Sequence, residues 1–214
     1  MVRPTVIFVL ACVAALAYAA PASADPPRMR GHVQKASPAG PLLKRGSAHA
    51  AASRKWATVN ICDTDKTPDG MGLRASMPGN GTAQRMFMRF TVQWYSGSQN
   101  AWLDVPGGVS RWLYAGSARY VSRQAGYTFN FVTPPAGRGY LMRGVAEFQW
   151  RALHRPRAAR RDRWSTTVAR GPARPRWKVA QKGSILSRTG VRGVDGGDPP
   201  GTSKAICLIA NPTS

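Results

Sequence analysis

Arg85-Met86-Phe87-Met88-Arg89-Phe90-Thr91-Val92-Gln93-Trp94 is the stretch on which the fold turns. Met86, Met88, Phe90, Val92 and Trp94 recur at every second position, and Arg85, Arg89, Thr91 and Gln93 stand between them. Period two sustained in this way puts an apolar row on one face of an extended chain and a polar row on the other. A helix would scatter the same residues around its circumference, so the stretch is a strand with one buried face.

Working outward, the same alternation returns in 140–151. There Tyr140, Met142, Ala146, Phe148 and Trp150 interleave with Arg143, Glu147, Gln149 and Arg151. Trp56-Ala57-Thr58-Val59-Asn60-Ile61-Cys62 reads as a strand, and Leu73, Ala75 and Met77 alternate before the turn Pro78-Gly79-Asn80-Gly81. After the polar turn at 96–100, short strands at 101–105 and 111–115 bracket Pro106-Gly107-Gly108. Segments 118–123 and 127–132 flank Gln124-Ala125-Gly126 as a hairpin, with Tyr127, Phe129 and Phe131 on one face. Weaker strands are expected at 164–169 and 177–180, and 203–210 closes the series. Many short strands with almost no helical pattern predict an all-β, antiparallel β-sandwich.

Composition agrees. The 214 residues include 22 Gly and 17 Pro, while glutamate occurs only at Glu147, a balance that favours strands and turns over surface helices. Lys and Arg number 31 against 9 Asp and Glu, a formal net charge of +22, yet 43% apolar residues exclude a fully disordered polycation. Segment 25–55 carries seven of those bases and one acid, and 151–178 carries ten bases and one acid, so two segments hold most of the excess.

Three regions follow. Residues 1–24, with Arg3, an apolar run from Val6 to Ala17 and the small triplet Ala22-Ser23-Ala24, read as a secretory signal cleaved near Ala24. Val9-Leu10-Ala11-Cys12 also resembles a lipobox, with lipidation of Cys12 as the alternative. Residues 25–55 show no apolar period and are expected to form a disordered basic leader, a spacer or a tether to anionic polymer. Residues 56–214 are the sandwich domain, with 151–178 as an arginine-rich loop. No later stretch approaches the ~20 apolar residues of a spanning helix, so the mature chain is expected outside the membrane, secreted or at the cell envelope. In an oxidising compartment Cys62 and Cys207 are expected to pair, stapling the first strand of the domain to the last. The loop-entropy argument gives such a bridge roughly 4–5 kcal/mol. Two buried free thiols are the alternative.

Pro134-Pro135-Ala136-Gly137 leading to Tyr140 resembles the corner before the penultimate strand of immunoglobulin-like and fibronectin-like sandwiches, where a tyrosine hydroxyl ties turn to strand. Phe148-Gln149-Trp150-Arg151, and more widely the run from Trp56 to Trp150, is similar to uncharacterised secreted sandwich proteins of high-GC Gram-positive bacteria. The resemblance implies an immunoglobulin-like, extracellular architecture and no particular chemistry. The spacing of Cys62 and Cys207 departs from that of the antibody inter-sheet bridge.

Four groups of residues bear on function. Arg151, Arg155, Arg157, Arg160, Arg161, Arg163, Arg170, Arg174, Arg176 and Lys178, interleaved with Trp164 and Trp177, have the composition of an anionic-polymer surface. Guanidinium forks match phosphate and carboxylate, and indole faces stack on bases or sugars. The bland alternative is a solvated basic loop. Asp63, Asp65 and Asp69 suggest a weak calcium loop, but Pro68 falls where the loop glycine belongs in one frame and Ser76 where a bidentate glutamate belongs in the other. A turn whose acids pair with the basic surface is the simpler reading. Trp94, Tyr95, Trp102, Trp112 and Tyr114 are expected mainly in the core, with glycan binding as the sharper alternative. For catalysis there is one histidine outside the leader, His154, no Gly-x-Ser-x-Gly elbow, no zinc spacing, and only Glu147 with Asp104 as a carboxylate pair. The sequence therefore points to a non-catalytic module without cofactor. Its expected role is binding or structural at the cell envelope, in contact with anionic envelope polymers or extracellular nucleic acid. A secreted hydrolase of envelope or extracellular polysaccharide is the alternative.

Overall fold

The computed structural model describes residues 25–36, 55–154, 175–191, 194 and 196–212. Its strands are β1 (Met29–Ala36), β2 (Trp56–Thr64), β3 (Thr67–Pro78), β4 (Arg85–Ser96), β5 (Ala101–Val109), β6 (Leu113–Ser117), β7 (Ser122–Phe131), β8 (Arg138–His154), β9 (Arg176–Leu186) and β10 (Ile206–Asn211). The smaller sheet has the order β1-β7-β3-β2. The larger has the order β10-β8-β4-β5, with β6 also beside β4 and β9 also beside β8. Every strand pairing is antiparallel, and the sheets enclose one apolar core as a β-sandwich.

The 17-residue β8 organises the larger sheet. One of its edges pairs with β4, from Met142 opposite Trp94 to Arg151 opposite Arg85, and its other edge carries β10 and then β9. The alternation read from the sequence faces inward here: Met86, Met88, Phe90, Val92 and Trp94 of β4 are buried with Met142, Ala146, Phe148 and Trp150 of β8. Met71, Leu73, Ala75 and Met77 of β3 and Tyr127, Phe129 and Phe131 of β7 supply the facing layer. The sheets approach closely at Gly144, where an added Cβ would lie 2.2 Å from Leu73 Cδ2. Cys62 of β2 and Cys207 of β10 are bridged, with their Cα atoms 5.4 Å apart, so the staple joins an edge strand of each sheet. The outer edge of β2 is further covered by the chain between β9 and β10, through Arg188 N–H to Ala57 O at 3.0 Å and mutual Val59–Lys204 bonds at 2.9 Å. Pairing of this kind removes an exposed sheet edge.

Several expectations need correction. Residues 29–36, assigned to a disordered leader, form β1 on the open edge of β7, where main-chain pairing needs no apolar period. Met29 packs against the core and His32 stacks on Tyr127 at 5.1 Å. Gln124-Ala125-Gly126 is no turn: β7 runs through it, because Ala125 continues the inward row of Tyr127, Phe129 and Phe131 and pairs with Ala75. Pro106-Gly107-Gly108 lies inside β5 as a bulge, since Thr91 pairs with Val109 but Gln93 with Asp104. The arginine-rich stretch is not a single loop. Its ends are paired strands, His154 opposite Arg176 and Arg151 opposite Val179, and β9 extends well past 177–180. The corner at 134–137 is tied by Asn211, whose Nδ2 donates to Pro134 O at 2.8 Å and whose carbonyl accepts from Gly137 N–H at 2.7 Å. The signal segment 1–24 and the strand expected at 164–169 lie outside the described residues.

Two stability outcomes follow from this architecture. Replacing Cys62 and Cys207 together with alanine is expected to lower stability by about 2–5 kcal/mol, read as a fall in the urea midpoint. An unchanged midpoint would show that the staple constrains nothing. Gly79 sits where an added Cβ would lie 1.7 Å from Tyr120 O, while its N–H bonds Val121 O at 2.9 Å. Because the obstacle is backbone, Gly79→Ala is expected to destabilise by about 1–3 kcal/mol, whereas Gly81→Ala meets no neighbour and carries only the strain of a positive φ.

Candidate anion-binding face

The outward rows of β4 and β8 form a continuous surface on the larger sheet. Register sets Arg85 opposite Arg151, Phe87 opposite Gln149, Arg89 opposite Glu147 and Gln93 opposite Arg143. Beyond β4, Tyr114 of β6 stands opposite Phe87, and Asp104 and Trp102 of β5 stand opposite Gln93 and Tyr95. Each arginine lies over at least one ring. Arg85 is 4.3 Å from the Trp177 centroid and 5.9 Å from that of Tyr114. Arg151 is 4.0 Å from Phe87 and 5.6 Å from Trp112, Arg89 is 4.8 Å from Trp112, and Arg143 is 4.4 Å from Trp102. Phe87 with Tyr114, and Tyr95 with Trp102, join these stacks at 5.5 Å.

Stacking uses the face of a guanidinium and leaves its in-plane N–H donors available, which makes it a natural mount for anion recognition. The four arginines are differently committed. Arg89 makes a two-pronged pair with Glu147, Nε to Oε2 at 2.6 Å and Nη2 to Oε1 at 2.9 Å. That hydrogen bond holds its pKa above the ordinary arginine value. Arg143 donates Nε to Gln93 Oε1 at 2.9 Å, and Gln93 donates to Asp104 Oδ1 at 2.9 Å. Burial pushes Arg143 down from the ordinary value, though an arginine stays charged at neutral pH. Arg151 donates Nε to the neutral Gln149, at 3.0 Å. Arg85 and Arg151 make no salt bridge among the described residues.

The residues expected to bind are only partly gathered here. Arg151 and Trp177 lie on this face, while strand alternation sets Arg176 and Lys178 on the other side of the β8–β9 hairpin. Arg155, Arg157, Arg160, Arg161, Arg163, Trp164, Arg170 and Arg174 lie outside the described residues. The expectation that the aromatics at 94–114 are mainly core is corrected. Trp94 alone is buried; Tyr95, Trp102 and Trp112 are half-buried and Tyr114 is 57% exposed. Tyr95 follows the outward row of β4, Trp102 and Tyr114 sit on β5 and β6 beside it, and Trp112 lies between those two strands. Arg85, Arg89 and Arg143 were visible as outward strand residues, but nothing in sequence placed aromatic rings beside them.

The other proposed groups do structural work. Asp63 Oδ1 accepts from Asp69 N–H at 2.9 Å and its Oδ2 from Ala210 N–H at 3.4 Å. Asp69 accepts from the Thr133 hydroxyl and lies 3.7 Å from Arg30, and Asp65 is exposed in the β2–β3 turn. Among the described residues no three ligating side chains converge on a metal position. Glu147 and Asp104 belong to rows four residues apart, so their backbones are offset by roughly 13 Å along the strands. Paired glycosidase carboxylates stand only about 5–9.5 Å apart. An open groove of about 550 Å³ near Arg30, Lys66, Thr67 and Asn130 lies away from this face. No family model, curated protein or solved structure matches the chain.

Proposed function

We propose that the protein is an exported, non-catalytic sandwich module that binds anionic polymers at the cell envelope. The observation that carries this reading is the row of four ring-mounted arginines on the outer face of the larger sheet. A chain laid along β4 and β8 meets the Arg85–Arg151 row, then Arg89, then Arg143, at intervals of four residues, or roughly 13 Å. Among the described residues only Glu147 and Asp104 oppose that charge on the face, and each is engaged by a neighbour. The formal charge of +22 adds long-range attraction for a polyanion. Export is supported by the character of residues 1–24 and by a bridge suited to an oxidising compartment.

The test is cosedimentation of the purified chain with bacterial cell-wall sacculi before and after removal of their anionic polymers. Binding is expected to require those polymers and to weaken at least about tenfold between ~50 and ~200 mM salt, since counterions are released at each charge contact. Binding that persists after stripping and ignores salt would overturn the reading in favour of a neutral-glycan surface. Preference for duplex DNA over the wall polymers would move the partner to extracellular nucleic acid.

A further inference from the structure

Within that reading, on which this inference rests, the Arg85–Arg151 pair stands apart. Cross-strand partners in a sheet hold their Cβ atoms about 4.5–5.5 Å apart, and like charges directly opposite are destabilising. Here two arginines face each other in register, and neither forms a salt bridge among the described residues. The next arginine row differs: beyond Phe87 and Gln149, Arg89 faces Glu147 and is neutralised by it. Among the described residues the fold therefore balances one arginine row internally and gives the other no acidic partner.

The surroundings of the pair are also specific. Trp177 and Tyr114 flank Arg85, and Phe87 and Trp112 flank Arg151, so both forks are held by ring contacts. Tyr114 is 57% exposed, so it has open ring surface beside the cations. Two mounted forks suit an oxyanion, because each presents parallel N–H donors to its oxygens. An exposed aromatic ring alongside suits the apolar face of a sugar.

We infer that Arg85 and Arg151 clamp one oxyanion of the polymer while Tyr114 packs against an adjoining sugar ring, so the ligand is a glycan whose repeat carries a carboxylate or a phosphate. Calorimetry on the full purified chain tests this with three probes of equal length: an oligouronate, a sugar-phosphate oligomer and a neutral oligosaccharide. At least one charged probe is expected to bind tenfold or more tightly than the neutral one, and the better of the two identifies the anionic group. Arg85→Gln and Arg151→Gln are each expected to weaken the charged probe about tenfold. Arg151→Lys should lose most of that affinity too, because it keeps the charge and loses the fork. Tyr114→Ala should weaken the charged oligosaccharide while leaving inorganic polyphosphate binding unchanged.

Arg138→Gln, at the exposed first residue of β8 and away from the Arg85–Arg151 row, serves as the comparison and should change nothing. Melting temperatures measured alongside separate lost binding from lost folding. If the wild-type chain binds charged probes and both arginine variants bind them equally well, the clamp is overturned and the broader polyanion reading stands. If the wild-type chain binds neither charged probe nor polyphosphate, both fall together.

Discussion

The pairing of β4 with β8 is the constraint on which the remaining structure depends. Ten consecutive cross-strand partners, from Arg85–Arg151 to Trp94–Met142, fix which side of each strand meets the core. Because side chains alternate with period two, a slip of one residue in either strand would exchange its two faces. For β4 that would bury Arg85 and Arg89 and expose Met88 and Phe90. The desolvation of unpaired guanidiniums makes such a register inaccessible, so the arginines specify the fold as firmly as the apolar residues do. The same alternation that closes the core thus builds the charged face, and neither exists without the other.

Closure of the sandwich relies on a different device. The smaller sheet ends at β2 and the larger at β10, and the Cys62–Cys207 bridge crosses between these edges. Around it, Asp63 is fixed by main-chain donors from Asp69 and Ala210, and the segment before β10 bonds along β2 at Val59 and Asn60. The acids at 63 and 69 therefore serve as acceptors for backbone and hydroxyl donors where the edge strands converge. These bonds give two of the acids in this cluster a structural role in an otherwise basic chain.

Legibility in the sequence followed burial. β4 and β8 were readable because the inward row of each is buried and apolar and the outward row carries most of the polar residues, which gives a clear period of two. β1 was not, since an edge strand held by main-chain bonds leaves little trace in side-chain pattern. The supposed turn at Gln124-Ala125-Gly126 was misread because small and polar residues also suit the middle of a strand whose outer face meets Arg74. On the outer face of the larger sheet, the arginines of β4 and β8 were legible as outward residues. The rings were not, because Trp102 and Tyr114 reach that face through the pairing of β5 and the five-residue β6 with β4, and Trp112 lies in the connection between β5 and β6. Such long-range geometry has no local signature.

This distribution also changes where the charge matters. By sequence most of the basic excess falls in two segments, 25–55 and 151–178. Among the described residues the face draws mainly on Arg85, Arg89 and Arg143, outside both segments, and Arg151 and Trp177 join it from the stretch 151–178. A flexible polycation attracts polyanions of any shape, since its charges rearrange at little cost. Guanidiniums mounted on rings in fixed register do not rearrange, so they discriminate by the spacing and geometry of the anions offered to them. On the proposed reading, selectivity for one anionic glycan over another therefore resides in the register of the sheet.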